Sequence, residues 1–141
     1  MKGYDFVDSD NFPQDTNGHG TQVTGIIRAE GQLKGIAPNA DIFSYRVSSD
    51  GESVPSNLII KAINQAVEDK VDIINISLGV NVTHSQIDDA VNNAIKEGVV
   101  VVAAAGNGSN FKLTRRWGPY MSPQSKLPSP AKSVRNSKTG V

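Results

Sequence analysis

The sequence predicts an α/β fold built on a doubly wound parallel sheet. Three short runs of branched apolar residues alternate with two stretches in which apolar residues recur at helical spacing. A chain that alternates strand and helix in this way forms crossover connections, which are right-handed in nearly all parallel sheets. The 141 residues are enough for one domain with a core, but few for a large α/β enzyme.

The strands are predicted from three apolar runs, at residues 41–47, 71–78 and 99–105. The second and third runs are almost continuously hydrophobic, which is typical of strands buried on both faces of a parallel sheet. We therefore expect residues 71–78 and 99–105 to form neighbouring parallel strands.

Two amphipathic helices are predicted between these strands. Their apolar stripes consist of Ile59, Ile63, Ala66 and Val67 in the first helix, and of Ile87, Ala90, Val91, Ala94 and Ile95 in the second. The second helix has a start signal at Ser85 and a stop signal at Gly98. Both helices should therefore lie with one face against the sheet.

Charge divides the chain into two parts. All 14 acidic residues precede Phe111 together with 7 basic residues, whereas 7 basic residues and no acidic ones follow it. Beyond residue 110 the periodicity stops, and we interpret residues 111–141 as a basic, Pro/Ser-rich tail or loop. Scattered Lys and Arg with few aromatic residues are typical of solvated charge, so no nucleic-acid partner is expected.

Composition excludes several functions. The chain has no cysteine, which excludes cysteine catalysis, disulfides and thiolate metal sites. No apolar run is long enough to span a bilayer, so no membrane is expected as a partner. The first residues include Lys2 but no apolar segment, so they predict no secretory signal and leave the cellular compartment open.

The most specific local pattern places His19 between two glycines, within residues 17–21 (Asn-Gly-His-Gly-Thr), where a helical pattern opens. Small neighbours leave an imidazole exposed at the start of a helix. A histidine in such a position can act as a general base, but it is more often a surface or capping residue. The motif by itself does not decide between these roles.

Two further patterns follow predicted strands. Asn107 lies between glycines after the third strand, and Ser77, Leu78 and Gly79 end the second. Because ligands bind beyond the carboxyl ends of parallel strands, the Asn107 amide could donate to a developing oxyanion. Residues 77–79 could pair with an extended peptide. Each pattern also fits a structural role, as an asparagine that closes a turn or a strand that ends in a loop.

In order and spacing, these patterns resemble those of the subtilisin-like serine proteases, also called subtilases or peptidase family S8. Residues 19–25 (His-Gly-Thr-Gln-Val-Thr-Gly) resemble the family's histidine motif, and residues 35–38 (Gly-Ile-Ala-Pro) resemble the turn that follows it. Residues 72–79 resemble the strand that walls the first specificity pocket, and residues 98–107 the strand that leads to the oxyanion asparagine. The resemblance extends from about residue 3 to residue 108.

The resemblance implies a subtilisin-like fold, with residues 1–110 as part of a catalytic domain that hydrolyses peptide or protein substrates. His19 would be the general base and Asn107 the donor to the oxyanion. Residues 77–79 would bind the substrate. No cofactor is implied by these motifs. The family's calcium sites are in doubt here, because residues 29–34 are shorter than the calcium-binding insertion of the bacterial subtilisins.

The family's orienting aspartate and nucleophilic serine are not recognised in the sequence. Residues 8–10 (Asp-Ser-Asp) follow the Gly-Tyr-Asp-Phe segment, whereas the family's aspartate precedes it, and Ser122 lacks the glycine elbow. We therefore expect a catalytic domain that is incomplete at both ends and inactive alone. Its exposed sheet edges should favour self-association.

The alternative, from a different class of function, is a non-catalytic module that holds a peptide in the groove around residues 77–79. The DNA on both sides of the coding sequence would distinguish the two hypotheses. Flanking codons for the missing aspartate and serine motifs would favour a protease fragment, whereas a promoter, start and stop would favour a module.

Overall fold

The computed structural model describes residues 2–49, 54–78, 85–104 and 138–140, the last of these as backbone alone. The helices are α1 (His19–Arg28), α2 (Ser56–Glu68) and α3 (Ser85–Lys96). The strands are β1 (Lys2–Asp5), β2 (Asp41–Arg46), β3 (Ile73–Ile76), β4 (Val100–Ala103) and β5 (Lys138–Gly140). They form one parallel sheet in the order β1-β2-β5-β3-β4. The α/β fold predicted from the sequence is confirmed.

The second and third apolar runs form neighbouring parallel strands, as predicted. The register pairs Ile73 of β3 with Val100 of β4, and it continues to the carboxyl ends of both strands. Val101 is 5% exposed, but Val100 and Val102 on the other face of β4 are 40% and 42% exposed. The expectation that this strand is buried on both faces was therefore wrong, because no element of the described part of the chain covers its second face.

Both predicted helices are present, and their apolar stripes face the core. α2 buries Ile59, Ile63 and Ala66, and α3 buries Ile87, Ala90, Val91 and Ala94. Val67 and Ile95, at the margins of the stripes, are only partly buried against the same core. The two helices pack against each other, and the buried residues of β3 and β4 belong to the same core cluster.

The predicted ends of α3 are also confirmed. The helix begins at Ser85 and ends at Lys96. Gly98 follows with a φ of 87°, a left-handed conformation that favours glycine. Its N–H donates to the carbonyl of Ile95, and the N–H of Val99 donates to the carbonyl of Ala94, each at 3.0 Å. The chain thereby turns from α3 directly into β4.

Hydrophobic periodicity predicts neither β1 nor β5. β1 pairs with β2, from Lys2 opposite Phe43 to Asp5 opposite Arg46. β5 falls in the segment interpreted as a tail or loop, and it pairs with both β2 and β3. β1 (Lys-Gly-Tyr-Asp) and β5 (Lys-Thr-Gly) contain charged residues and glycine and no branched apolar residue, so no apolar run marks them, although β1 is as long as β3 and β4.

α1 differs from the other two helices because none of its residues is buried. Ile26 is 69% exposed, and the neighbouring Ile36 is 89% exposed. The N–H of Ile36 donates to the carbonyl of Ile26 at 3.0 Å, which ties the segment after the helix to its last turn. Within the described residues, no helix is both long and apolar enough to cross a membrane.

Candidate active site

His19 is the first residue of α1, and its imidazole lies next to the carboxyl end of β3. Gly18 before it has a φ of 99°, a left-handed conformation that leads the chain into the helix. The side chain of His19 is exposed, and its Nε2 lies 3.2 Å from the carbonyl oxygen of Ser77. Because a carbonyl can only accept, this contact is a hydrogen bond in the tautomer that carries a proton on Nε2.

Ser77 and Leu78, two of the predicted substrate-binding residues, directly follow β3 and lie beside His19. They line a cavity of about 430 Å³ together with His19. The Nδ2 of Asn75 donates to the Oγ of Ser77 at 2.7 Å and holds that hydroxyl in position. The structure therefore brings the predicted base and two predicted binding residues together, although 58 positions separate His19 from Ser77 in the sequence.

The other two predicted site residues, Asn107 and Gly79, lie outside the described residues. Ala104, the last described residue before Asn107, donates its N–H to the carbonyl of Ile76 at 3.0 Å. The chain therefore leaves β4 at the level at which Ser77 follows β3. The position of the Asn107 amide stays a prediction.

A carboxylate that sequence reasoning missed, Asp15, holds the start of α1. Its Oδ1 accepts hydrogen bonds from the N–H of Asn17 at 3.0 Å and of Gly18 at 2.7 Å. Its Oδ2 accepts from the N–H of Thr21 at 2.7 Å and from the Thr21 hydroxyl at 2.6 Å. Asp15 thus satisfies backbone donors on both sides of His19. The available signal was an aspartate in a turn-forming segment, since Asp side chains commonly accept hydrogen bonds from backbone N–H groups a few residues further on.

These hydrogen bonds lower the pKa of Asp15 far below its usual range. The largest contribution comes from the Thr21 hydroxyl, followed by the backbone N–H groups of Gly18 and Thr21. A carboxylate whose pKa is depressed by folding stabilises the folded state above the pKa it has in the unfolded chain. That stabilisation is lost as the pH falls below about 4.

We expect Asp15→Ala to lower the free energy of unfolding by about 1 kcal/mol, because it removes the acceptor that caps the first turn of α1. Asp15→Asn is the matched control, since it keeps an acceptor and should lose less. Urea unfolding between pH 3 and pH 7 checks the prediction. The difference between the parent chain and Asp15→Ala should shrink as the pH falls below about 4. A difference that stays constant with pH would show that the carboxylate charge is not involved.

The loop at residues 29–34 does not fit a calcium site. Its single carboxylate is Glu30, whose Oε1 lies 3.6 Å from Nη2 of Arg28. Calcium needs six to eight oxygen ligands, several of them carboxylates, and a neighbouring arginine opposes its charge. Across the described ranges, no group of three or more His, Cys, Asp or Glu side chains is placed to hold a metal ion.

Comparison with known proteins identifies the family of this chain. The model of the subtilase family (peptidase family S8) matches residues 1–136. A thermophilic serine proteinase of Bacillus sp. (strain AK1) is 42% identical over 114 residues, a match that covers 78% of this chain and 28% of the relative. Thermitase of Thermoactinomyces vulgaris is 41% identical over 112 residues, which covers 77% of this chain and 40% of thermitase.

The solved structure of the S41 psychrophilic protease superposes with a TM-score of 0.66 at 38% identity, and the match covers 73% of this chain and 38% of that protein. The chain thus spans less than half the length of each of these relatives. The family match covers nearly the whole chain, and sequence identity accompanies the likeness in fold. The chain belongs to the subtilase family of serine proteases.

Proposed function

We propose that this chain is part of a serine endopeptidase of the subtilisin type and that it supplies the general base of the reaction. The observation that carries the proposal is the position of His19, which is exposed on a cavity that Ser77 and Leu78 also line. Asn107 is proposed as the donor to the oxyanion, and Gly79 as a third binding residue. The substrates are peptides or proteins, as for the family.

In the proposed reaction, the imidazole of His19 takes the proton of a serine hydroxyl and returns it to the leaving amine. The base must accept at Nε2, which requires the proton to reside on Nδ1. In the present structure Nε2 lies 3.2 Å from the carbonyl oxygen of Ser77, a contact that forms a hydrogen bond only in the tautomer with a proton on Nε2. A carboxylate that accepts from Nδ1 selects the opposite tautomer in such sites. His19 therefore has the position of a base, and the reaction requires a group that accepts from Nδ1 and leaves Nε2 free to accept.

Substrate binding is proposed along the chain that leaves β3. Leu78 is partly buried against the hydrophobic core, so it can present an apolar wall to a substrate side chain. The backbone of residues 77–79 can pair with an extended peptide, the usual way in which a strand end holds one. The Asn107 side-chain amide would then stabilise the negative charge that develops on the substrate carbonyl oxygen.

We expect the chain alone to show no serine-protease activity. A base accelerates acyl transfer only if a nucleophile lies within about 2.6–3.2 Å of it, and no serine of the sequence carries the family's nucleophile motif. The purified chain should release no anilide from a peptide anilide substrate above background. It should also remain unlabelled by a fluorophosphonate probe.

Stoichiometric labelling of a serine, abolished by His19→Ala but not by His84→Ala, would show that the chain is an enzyme in its own right. His84 is the only other histidine of the sequence, so its variant controls for the loss of an imidazole in general.

Self-association through a sheet edge is a further part of the proposal. β4 is the last strand of the described sheet, and Val100 and Val102 expose apolar side chains on its uncovered face. Unpaired edges and apolar patches favour association between chains. Analytical ultracentrifugation of the purified chain would detect self-association as an apparent molecular mass that rises with protein concentration.

A further inference from the structure

Asn17 and Gly18 form an Asn-Gly pair directly before His19. An asparagine side chain deamidates most readily before glycine, because glycine has no side chain to hinder attack by its own backbone nitrogen. Asparagine is for this reason a thermolabile residue in proteins. Asn17 is exposed to solvent, and a Cβ placed on Gly18 would meet no described atom within 4 Å. Neither burial nor crowding by the described residues protects this pair.

The side chain of Asn17 is held in a position that favours the reaction. Its Oδ1 accepts a hydrogen bond from the N–H of His19 at 3.3 Å. This hydrogen bond closes a ring that contains both the Cγ of Asn17 and the backbone nitrogen of Gly18. The donor also draws electrons from the side-chain carbonyl, which makes Cγ more open to attack. The carbon that is attacked and the nitrogen that attacks it are therefore already close together.

The carboxylate of Asp15 opposes the attack. The N–H of Gly18 donates to Oδ1 of Asp15 at 2.7 Å, a short hydrogen bond to a charged acceptor. Gly18 must lose this proton before its nitrogen can attack. Because the hydrogen bonds to Asp15 lower the pKa of its carboxyl far below the usual range, the group is negatively charged at neutral pH. An amide anion beside this charge is unfavourable, since like charges repel.

We infer that Asn17 is a deamidation site and that Asp15 controls the rate of the reaction by retaining the proton of Gly18. When the hydrogen bond opens, the Gly18 nitrogen gives its proton to hydroxide and attacks Cγ of Asn17. The new C–N bond closes a succinimide ring. The bond from Cγ to Nδ2 breaks, and Nδ2 takes up a proton from water and leaves as ammonia. Water then opens the ring to give aspartate or isoaspartate.

Either product changes the surroundings of His19. Aspartate brings a second carboxylate into the turn that already holds Asp15. Isoaspartate also lengthens the main chain by one methylene group, although Asp15 binds the N–H groups of Gly18 and Thr21 on the two sides of His19. We expect this lengthening to break the contact of His19 with Ser77. The inference does not depend on the proposed function, because the reaction needs no substrate.

The test follows deamidation in the full chain under mildly alkaline conditions, with and without urea. Peptide mapping by mass spectrometry measures the conversion of Asn17, and an isoaspartyl methyltransferase assay measures isoaspartate. We expect Asn17 to react at least about tenfold more slowly in the folded chain than in urea, the factor that a hydrogen bond to a charged group typically provides. Asn107 and Gly108 form the second Asn-Gly pair of the sequence. In urea the two pairs should react at similar rates.

Three variants separate the effect of the Asp15 carboxylate from that of helix stability. Asp15→Ala removes the acceptor and should speed the reaction of Asn17 at least about tenfold without urea. Asp15→Asn keeps an acceptor without the charge and should give an intermediate rate. Thr21→Val removes the hydroxyl that donates to Oδ2 of Asp15 at 2.6 Å but leaves the contact between Oδ1 and Gly18. This matched control weakens the same helix start and should keep the rate of the parent chain.

Equal acceleration in Thr21→Val and Asp15→Ala would overturn the inference, because stability of the helix start would then control the reaction. So would equal rates at Asn17 in the folded parent chain and in urea. Circular dichroism reports whether each variant folds. If Asp15→Ala does not fold, the comparison of Asp15→Asn with Thr21→Val decides the question, since only the first changes the acceptor of the Gly18 N–H.

Discussion

Replacing His19 with alanine is expected to lower kcat by about 10⁶ in a complete enzyme, a magnitude known from the corresponding loss in subtilisin. The enzyme for this test is a chimera in which residues 3–108 of this chain replace the matching segment of thermitase, which is 41% identical. Thermitase then supplies the remainder of the domain, and this chain supplies the base. The measurement is kcat for a peptide anilide, with the chimera that retains His19 as reference.

The matched control in the chimera is His84→Ala, which also removes an imidazole. Its kcat should stay within about threefold of the reference, because His84 belongs to none of the sequence motifs that resemble the family's site. Loss of activity in both variants would point to misfolding. Activity retained in His19→Ala would contradict the role of His19 as the general base.

The second large effect is expected from Asp5→Ala, which should lower the free energy of unfolding by about 3–5 kcal/mol. Asp5 is 1% exposed, and its Oδ2 accepts from Nη1 of Arg46 at 2.7 Å. Its Oδ1 accepts from the N–H groups of Val7 and Asp8, each at 2.9 Å. Without the carboxylate, the largely buried guanidinium of Arg46 loses its buried counter-charge, and two backbone donors lose their acceptor.

Asp8→Ala is the matched control for this prediction. The Asp8 carboxylate lies 2.6 Å from the same Nη1 of Arg46, but its side chain is 63% exposed. Water screens an exposed ion pair, so we expect this variant to lose at most about 1 kcal/mol. Urea unfolding of both variants checks the comparison. Equal losses would show that burial does not set the strength of these two contacts.

The same ion pair should make the parent chain sensitive to acid. Burial by itself would raise the pKa of Asp5, but the hydrogen bond from Arg46 and those from the N–H groups of Asp8 and Val7 outweigh it and hold the pKa below its usual value. The stabilisation is therefore complete above the usual pKa of an aspartic acid and is lost as the pH falls below it. In Asp5→Ala this part of the acid dependence should be absent.

Sequence alone determined the elements whose formation depends on neighbouring residues. The apolar stripes of α2 and α3 recur at helical spacing, and a serine and a glycine mark the ends of α3. The apolar runs gave β2, β3 and β4 within two residues at each end. The glycines around His19 marked the start of α1 correctly. Helices and buried strands are visible in this way because their periods are short and local.

Only the tertiary structure decided which distant groups meet. Asp5 pairs with Arg46 across 41 positions, and nothing in the sequence separates this aspartate from the exposed ones around it. His19 contacts the carbonyl of Ser77, and a contact with a backbone group cannot be predicted from a pattern of side chains. β5 lies between β2 and β3 although it follows both in the chain. The physical reason is that these contacts depend on strand order and register, which are set by pairing between distant segments and not by the spacing of neighbouring residues.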